Sequence, residues 1–192
     1  IHKIEDYPRL VGNGINRLIE RALPQEHRNE ATVLRLREHF VPYYDAHNCD
    51  LTRPYDGIPE LLQSLKAAGH TLAVASNKYQ AATEKIVAQL FPGIFDIVLG
   101  ERENVARKPD PQIVWDVVGS LEARGDEAMR RLGDVLYVGD SLVDANTARA
   151  AGCTLVLCKW GFEAAEKLAA FQPDYLIEKP EEIIKIVHSF EK

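Results

Sequence analysis

VLYVGDSLVDANTARAAG, Val135 to Gly152, joins a short apolar run to a helix-like segment through two aspartates. Asp140 follows Gly139 at the end of the apolar run, and Asp144 comes four residues later. Because residues four apart lie on one face of a helix, we expect the two carboxylates to face the same way. Carboxylate oxygens are hard ligands that suit a divalent cation. The stretch predicts a buried strand that ends at a candidate metal site.

The same alternation of helix and apolar strand extends over most of the chain. Ile58 to Ala68 is predicted as a helix closed by Gly69, TLAVAS as a strand and YQAATEKIVAQL as a helix. PQIVWDVVGSLEA is a predicted helix with Asp110 as its N-cap and Pro111 in its first turn. Further strands are predicted at FDIVLG, DVLYVG, CTLVLC and DYLIE. Apolar strands separated by helices indicate an α/β fold with a doubly wound parallel sheet, covered on both faces.

The first part of the chain has a different pattern. GINRLIERAL places Ile15, Leu18 and Ile19 on one face, and EATVLRLREHFVPYYDAH repeats apolar residues at three- and four-residue steps. These segments predict a helical hairpin. The change of pattern near Thr52 to Tyr55 divides the chain into a helical unit, residues 1–54, and an α/β unit, residues 55–192.

Charge and cysteine content narrow the classes of function. The 192 residues carry a formal net charge of −6 and no block of Lys and Arg, which argues against binding to nucleic acid or to a membrane surface. No apolar run has the length of a membrane span. Cys49, Cys153 and Cys158 are odd in number and lack CxxC spacing, so we expect reduced thiols and a cytoplasmic protein.

Polar residues follow three of the predicted strands. In open α/β sheets the ligand site lies beyond the carboxyl ends of the strands, which draws attention to Ser76-Asn77, Lys108 and Asp140. Each also has an ordinary structural interpretation. Ser76-Asn77 can be a plain turn, Lys108 an exposed turn lysine held extended by Pro109, and Asp140 or Ser141 a helix N-cap. Asp144 can be a solvated helix carboxylate.

The order of these segments resembles a known family. VASNK, RKPDP and YVGDSLVDANTARAAG, in this order, are similar to the second, third and fourth motifs of the haloacid dehalogenase-like superfamily of aspartyl-phosphate phosphatases. The match is to its phosphoglycolate phosphatase-like branch. VGNGINRLIERAL also resembles the helical cap that this branch inserts between its first and second motifs. The resemblance covers essentially the whole chain and implies a Rossmann-like core with a small helical cap.

The resemblance implies roles for five residues. Ser76 would bind the transferring phosphoryl group, and Asn77 would lend its backbone. Lys108 would stabilise the charge on the phosphoryl group and on the nucleophile. Asp140 would bind Mg²⁺, and Asp144 would hold the metal shell directly or through water. The implied reaction is Mg²⁺-dependent hydrolysis of a small phosphorylated metabolite, by a monomer or a homodimer.

The family's nucleophile is missing from the sequence. The family attacks phosphorus with the first aspartate of a D-x-D-G-T segment on the central strand, and no such segment occurs here. Asp6 lacks a preceding apolar strand and a following glycine. We therefore expect about one strand and one cap helix to lie before Ile1, and the chain as given to be inactive. The alternative is a catalytically inactive relative that serves as a binding or interaction protein.

The predicted cap supplies candidate substrate-binding residues. Backbone N–H groups of Gly12, Asn13 and Gly14, or the side chain of Arg17, can meet the carboxylate of a small acid. Arg21 is a further candidate of the same kind. The alternatives are a plain loop before a helix and two solvated helix charges.

Overall fold

The computed structural model describes residues 2–11, 14–124 and 132–190. The helices within these residues are α1 (Tyr7–Leu10), α2 (Ile15–Ala22), α3 (Glu30–His47), α4 (Ile58–Ala67), α5 (Gln80–Leu90), α6 (Gln112–Glu122), α7 (Leu142–Ala151), α8 (Ala165–Ala170) and α9 (Glu182–Phe190). The strands are β1 (Ala73–Tyr79), β2 (Ile97–Glu101), β3 (Leu136–Gly139), β4 (Thr154–Cys158) and β5 (Tyr175–Ile177). Helices and strands alternate from α4 onward, which confirms the predicted α/β class.

The described strands form two parallel sheets. One contains β1 and β2, and the other has the order β3-β4-β5. Each observed pair is parallel, as the strand–helix alternation predicts. We expected one sheet, but β1 and β3 are not paired with each other within the described residues. Each of these two strands therefore has a neighbour on one side in the described structure.

β4 is the centre of the core. Leu155, Val156 and Leu157 expose 1%, 0% and 0% of their surface. Leu155 and Leu157 pack into one apolar cluster, which includes Leu168, whereas Val156 packs into a second cluster, which includes Ile183. Because successive side chains of a strand point to opposite faces, the sheet is covered on both sides. Burial on both faces explains why this strand is apolar throughout.

α6 begins slightly later than the sequence predicts. Its first residue is Gln112, and Pro111 occupies the N-cap position that we assigned to Asp110. The Asp110 side chain still accepts a hydrogen bond from the Gln112 backbone N–H, over 2.9 Å. The carboxylate therefore satisfies a donor in the first turn, although from one position further out.

The helices of the first part of the chain pack together and reach the α/β part. α2 packs against α3, in agreement with the predicted hairpin. α3 starts after Asn29, whose side chain accepts a hydrogen bond from the Thr32 backbone N–H over 3.0 Å. Near its end, Tyr44 receives a hydrogen bond from the Lys78 ammonium group. The division at residues 54 and 55 stays a prediction.

Two general features complete the description. Cys49, Cys153 and Cys158 are buried free thiols, and burial raises the pKa of Cys153 to about 11. Among the helices that the structure describes, none combines the length and the apolar character needed to cross a membrane.

Candidate active site

Lys108 connects the two sheets. Its ammonium group donates to the Asp144 carboxylate over 2.7 Å, to the Tyr137 hydroxyl over 3.2 Å and to the Ala75 carbonyl over 2.9 Å. Ala75 belongs to β1 and Tyr137 to β3, and Asp144 follows β3 on α7. The three contacts use the three donors of an ammonium group. A single side chain thus spans the ends of the two strands that do not pair.

Asn77 fixes the backbone of Lys108. The Asn77 amide donates to the Lys108 carbonyl over 3.0 Å and accepts from the Lys108 N–H over 2.9 Å. The peptide bond between Lys108 and Pro109 is cis. A side-chain amide that pairs with both backbone groups of one residue leaves that residue little freedom. Asn77 is therefore a structural partner of Lys108 through its side chain.

Asp144 lies in a dense network of donors. One carboxylate oxygen faces Lys108, and the other accepts from the Ser141 hydroxyl over 2.6 Å and from the Asp140 N–H over 3.3 Å. Burial alone would raise the pKa of Asp144, but the Lys108 ammonium and these hydrogen bonds hold it below its usual value. The interpretation of Asp144 as a solvated helix carboxylate is wrong, because the residue is buried.

Asp140 has a different environment. Ser141 is the N-cap of α7, since its hydroxyl accepts from the Asp144 N–H over 3.2 Å, so Asp140 is not the cap. The Asp140 carboxylate accepts a hydrogen bond from the Phe162 N–H over 3.1 Å. Burial raises the pKa of Asp140, and the nearby charge of Asp144 adds to this effect.

Two glycines allow the chain to pass close to these carboxylates. A Cβ atom on Gly139 would overlap the side chain of Asp144, and one on Gly161 would overlap the side chain of Asp140. Gly161 follows β4 in the sequence, so the loop after this strand packs directly against Asp140. A larger residue at either position would displace a carboxylate.

The two carboxylates suit a magnesium ion whose remaining ligands are water and substrate phosphate. Mg²⁺ is usually bound by one or two carboxylates together with water and substrate phosphate. Asp140 suits direct contact, because a cation would relieve the cost of its burial. Asp144 already accepts from Lys108 and Ser141, which suits a supporting position. No group of three or more His, Cys, Asp or Glu side chains that could hold a metal ion occurs among the described residues.

Ser76 lies in the middle of β1, which continues to Tyr79 and so runs beyond the predicted strand end at Ser76; its register with β2 shifts between Ala75 and Tyr79. Its hydroxyl accepts a hydrogen bond from the Lys78 N–H over 3.1 Å. A Cβ atom on Gly100 of β2 would approach the Lys78 carbonyl to 2.6 Å, so the absence of a side chain there lets β2 pass close to this segment. The backbone from Ser76 to Lys78 is therefore held in place by the neighbouring strand β2.

The structure gives little support for the candidate substrate-binding residues of the cap. Gly12 and Asn13 lie outside the described residues. Gly14 has a φ of 81° and lies against the Arg107 guanidinium, which pairs with Glu101. Arg17 pairs with Glu20 on its own helix, over 2.5 Å. The structure does not bring Arg17 into contact with the residues around Lys108.

Sequence reasoning missed two contributors to the site and named a third, Ser141, only as a possible helix cap. Tyr137 and Ser141 both contact Asp144, and the Phe162 backbone contacts Asp140. Ser141 carried a detectable signal, because a serine directly before a helix is a typical N-cap. Tyr137 appeared only as part of an apolar strand, and nothing in the local sequence distinguishes a backbone donor such as that of Phe162.

Comparisons with known proteins show which family the chain is similar to. The model of the family described as haloacid dehalogenase-like hydrolase matches residues 2–158. Phosphoglycolate phosphatase of Aquifex aeolicus is 31% identical over 188 residues, which cover 95% of this chain and 81% of that protein. Phosphoglycolate phosphatase of Cereibacter sphaeroides is 34% identical over 163 residues, covering 81% and 68% of the two chains.

A solved structure shows the same fold over nearly the whole chain. It is that of a protein assigned as a phosphoglycolate phosphatase from Lactobacillus delbrueckii subsp. bulgaricus, with 28% identity and a TM-score of 0.85. The alignment covers 97% of this chain and 83% of that one. Together with the family model and the identities above, this likeness shows that the chain belongs to the haloacid dehalogenase-like hydrolase family.

Proposed function

We propose that this chain carries most of the active site of a Mg²⁺-dependent phosphomonoester hydrolase that acts through an aspartyl-phosphate. The observation that supports it is the position of the Lys108 ammonium group, which lies between β1 and β3, 2.7 Å from the Asp144 carboxylate, and close enough to Asp140 for its charge to lower the pKa of that carboxyl. A buried cation next to two carboxylates can neutralise both a bound phosphoryl group and an attacking carboxylate.

Each residue has a defined part in this proposal. The Ser76 hydroxyl and nearby backbone N–H groups hold the phosphoryl oxygens, and the Lys108 ammonium stabilises the charge that develops on them. Asn77 keeps Lys108 in place through its two backbone contacts. Asp140 and Asp144 would hold Mg²⁺, which would supply positive charge beside the bound phosphoryl group.

The nucleophile is proposed to come from a segment outside the printed sequence. The chain has no D-x-D-G-T segment, and β1 and β3 lack a common neighbour among the described strands. A strand between them would place its carboxyl end between Ser76 and Asp140, because the ends of parallel strands meet at one edge. We therefore expect no hydrolysis from the 192 residues alone.

2-Phosphoglycolate is the proposed substrate. The support is the name shared by several relatives, including those of Aquifex aeolicus and Cereibacter sphaeroides, at 31% and 34% identity. A two-carbon phosphorylated acid also suits a small cap, such as the helical unit formed around α2 and α3.

The decisive experiment compares the 192-residue chain with the product of the open reading frame that encodes it. Hydrolysis of 2-phosphoglycolate and of p-nitrophenyl phosphate is measured with Mg²⁺ and with EDTA. We expect Mg²⁺-dependent hydrolysis by the second protein and a rate at least about 100-fold lower after Asp140→Asn, since the metal site then loses a carboxylate.

Asp134→Asn serves as the matched control, because Asp134 precedes β3 at its opposite end. It should hydrolyse both substrates at the unmodified rate. Hydrolysis that persists in EDTA, or that is unchanged by Asp140→Asn, would contradict the proposed metal site. Complete inactivity of the product of the reading frame would favour the alternative, a binding protein without catalysis.

A further inference from the structure

Lys78 lies between the phosphate-side segment and the cap. Its backbone N–H donates to the Ser76 hydroxyl over 3.1 Å, and its side chain extends to Tyr44 on α3. The ammonium group donates to the Tyr44 hydroxyl and lies 4.6 Å from the centre of the Tyr44 ring. One residue therefore links the segment that carries Ser76 with α3.

The backbone of Lys78 is held firmly. Its carbonyl accepts from the Thr83 hydroxyl over 3.0 Å, and Gly100 of the neighbouring strand β2 approaches it closely. The Gly100 N–H in turn donates to the Gln80 side chain over 2.6 Å. Because these contacts fix the main chain, the Lys78 side chain starts from a constant position relative to Ser76.

The charge of Lys78 has no acidic partner among the described residues. Its contacts there are the neutral hydroxyl and the ring of Tyr44. A cation that contacts only uncharged groups is better placed to bind an anion than one already paired with a carboxylate. Two arginines near the cap differ in this respect, since they form the pairs Arg17–Glu20 and Arg107–Glu101.

We infer that Lys78 binds the carboxylate of the substrate while Ser76 and Lys108 hold its phosphoryl group. This inference rests on the proposed function and gives the acid-binding role to Lys78 in place of the cap residues suggested by the sequence. Tyr44 positions the ammonium group, because it offers a hydroxyl acceptor and an aromatic face. The ligand class that follows is a phosphomonoester with a second, carboxylate anion close to the phosphate.

The test measures equilibrium binding to the product of the open reading frame, with Mg²⁺ present. The two ligands, titrated by calorimetry, are inorganic phosphate and 3-phosphonopropionate, an isostere of 2-phosphoglycolate whose P–C bond cannot be hydrolysed. Lys78→Ala and Lys78→Gln should raise the Kd for 3-phosphonopropionate about tenfold or more, because a charge-assisted hydrogen bond is lost. The Kd for inorganic phosphate should change less than about twofold.

Lys85→Ala is the matched control. Lys85 contacts the backbone carbonyl of Asp45 on the same cap helix, so its removal changes the charge at the same boundary. It should leave both Kd values unchanged. Arg17→Ala and Arg21→Ala test the rival acid-binding residues, and an effect confined to either of them would overturn the inference.

The remaining outcomes are also decisive. If Lys78→Ala weakens both ligands equally, Lys78 serves the phosphate segment and does not discriminate the acid. If it weakens neither, the inference fails while the proposed function stands. If the unmodified protein binds neither ligand, the proposed function fails and the inference falls with it.

Discussion

The two sheets both contribute residues to the candidate site, but their strands differ in how deeply they are buried. In the three-stranded sheet, Leu155 and Leu157 of β4 are almost completely buried, and this sheet supports the segment that carries Asp140. In the two-stranded sheet, β1 is exposed at Ala73 and only partly buried at its other residues. Lys108 joins the two. The proposed metal side is therefore built on a packed core, whereas the proposed phosphate side depends on polar contacts.

Lys108→Met is expected to have the largest effect, because it removes the side chain that joins the sheets. The Lys108 and Asp144 side chains expose 10% and 12% of their surface, so the variant leaves a buried, unpaired carboxylate. We expect the free energy of unfolding to fall by about 3–5 kcal/mol. The rate of hydrolysis by the complete gene product should fall about 100- to 1,000-fold. Urea unfolding and a steady-state assay measure the two effects.

Lys167→Met is the matched control for this prediction. Lys167 forms an ion pair with Glu163 over 3.0 Å, and its side chain is 65% exposed. Removing it should cost less than about 0.5 kcal/mol, since exposed pairs contribute little. Equal losses of unfolding free energy in the two variants would show that Lys108 does not connect the sheets energetically.

Leucine truncations test the difference in burial directly. Leu157→Ala in β4 should lower the free energy of unfolding by about 2–5 kcal/mol, because the side chain has no exposed surface and leaves a cavity. Leu99→Ala in β2 should cost about half as much, since Leu99 is only partly buried. Chemical denaturation of both variants gives the values. A larger loss of unfolding free energy for Leu99→Ala than for Leu157→Ala would contradict the view that the three-stranded sheet is the better packed of the two.

The smallest expected effect lies at the start of the two-stranded sheet. The Asp96 carboxylate accepts from the Leu72 N–H over 3.0 Å and pairs with Lys66. Partial burial acts to raise its pKa, but the Lys66 ammonium and the Leu72 N–H lower it below the ordinary 3.8. Asp96→Asn should therefore cost about 1 kcal/mol of unfolding free energy at pH 7.

The contribution of Asp96 to the free energy of unfolding should depend on pH. Because the folded-state pKa is depressed, the contribution of Asp96 is complete above pH 3.8 and disappears as the pH falls through the folded-state pKa. The difference between Asp96→Asn and the unmodified chain should shrink over that range. Denaturation at pH 7 and at successively lower pH measures it, and a difference that grows on acidification would contradict the assignment.

Local signals explain what the sequence could predict. The helix after Asp140 has a serine cap, an apolar face and a terminal Gly152 with a φ of 78°, so its type and limits follow from neighbouring residues. β4 is apolar throughout because both of its faces are covered. The α/β class follows from a repetition of such signals and is confirmed.

Contacts between distant segments could not be predicted in the same way. Asn77 holds the backbone of Lys108 from 31 positions away, and nothing near either residue specifies that pairing. Similarly, nothing in the sequence near Lys78 indicates that its side chain faces Tyr44, which lies 34 positions away. The roles assigned to the site residues stay predictions until the variants are measured.

The open side of β3 has a consequence for handling the protein. Val138, in the middle of this strand, is 43% exposed, and the described residues provide β3 with a neighbour only at β4. Unpaired N–H and C=O groups beside an exposed valine form a template for strands of other molecules. The isolated chain should therefore self-associate as its concentration rises. A strand that paired with the open side of β3 would prevent this self-association.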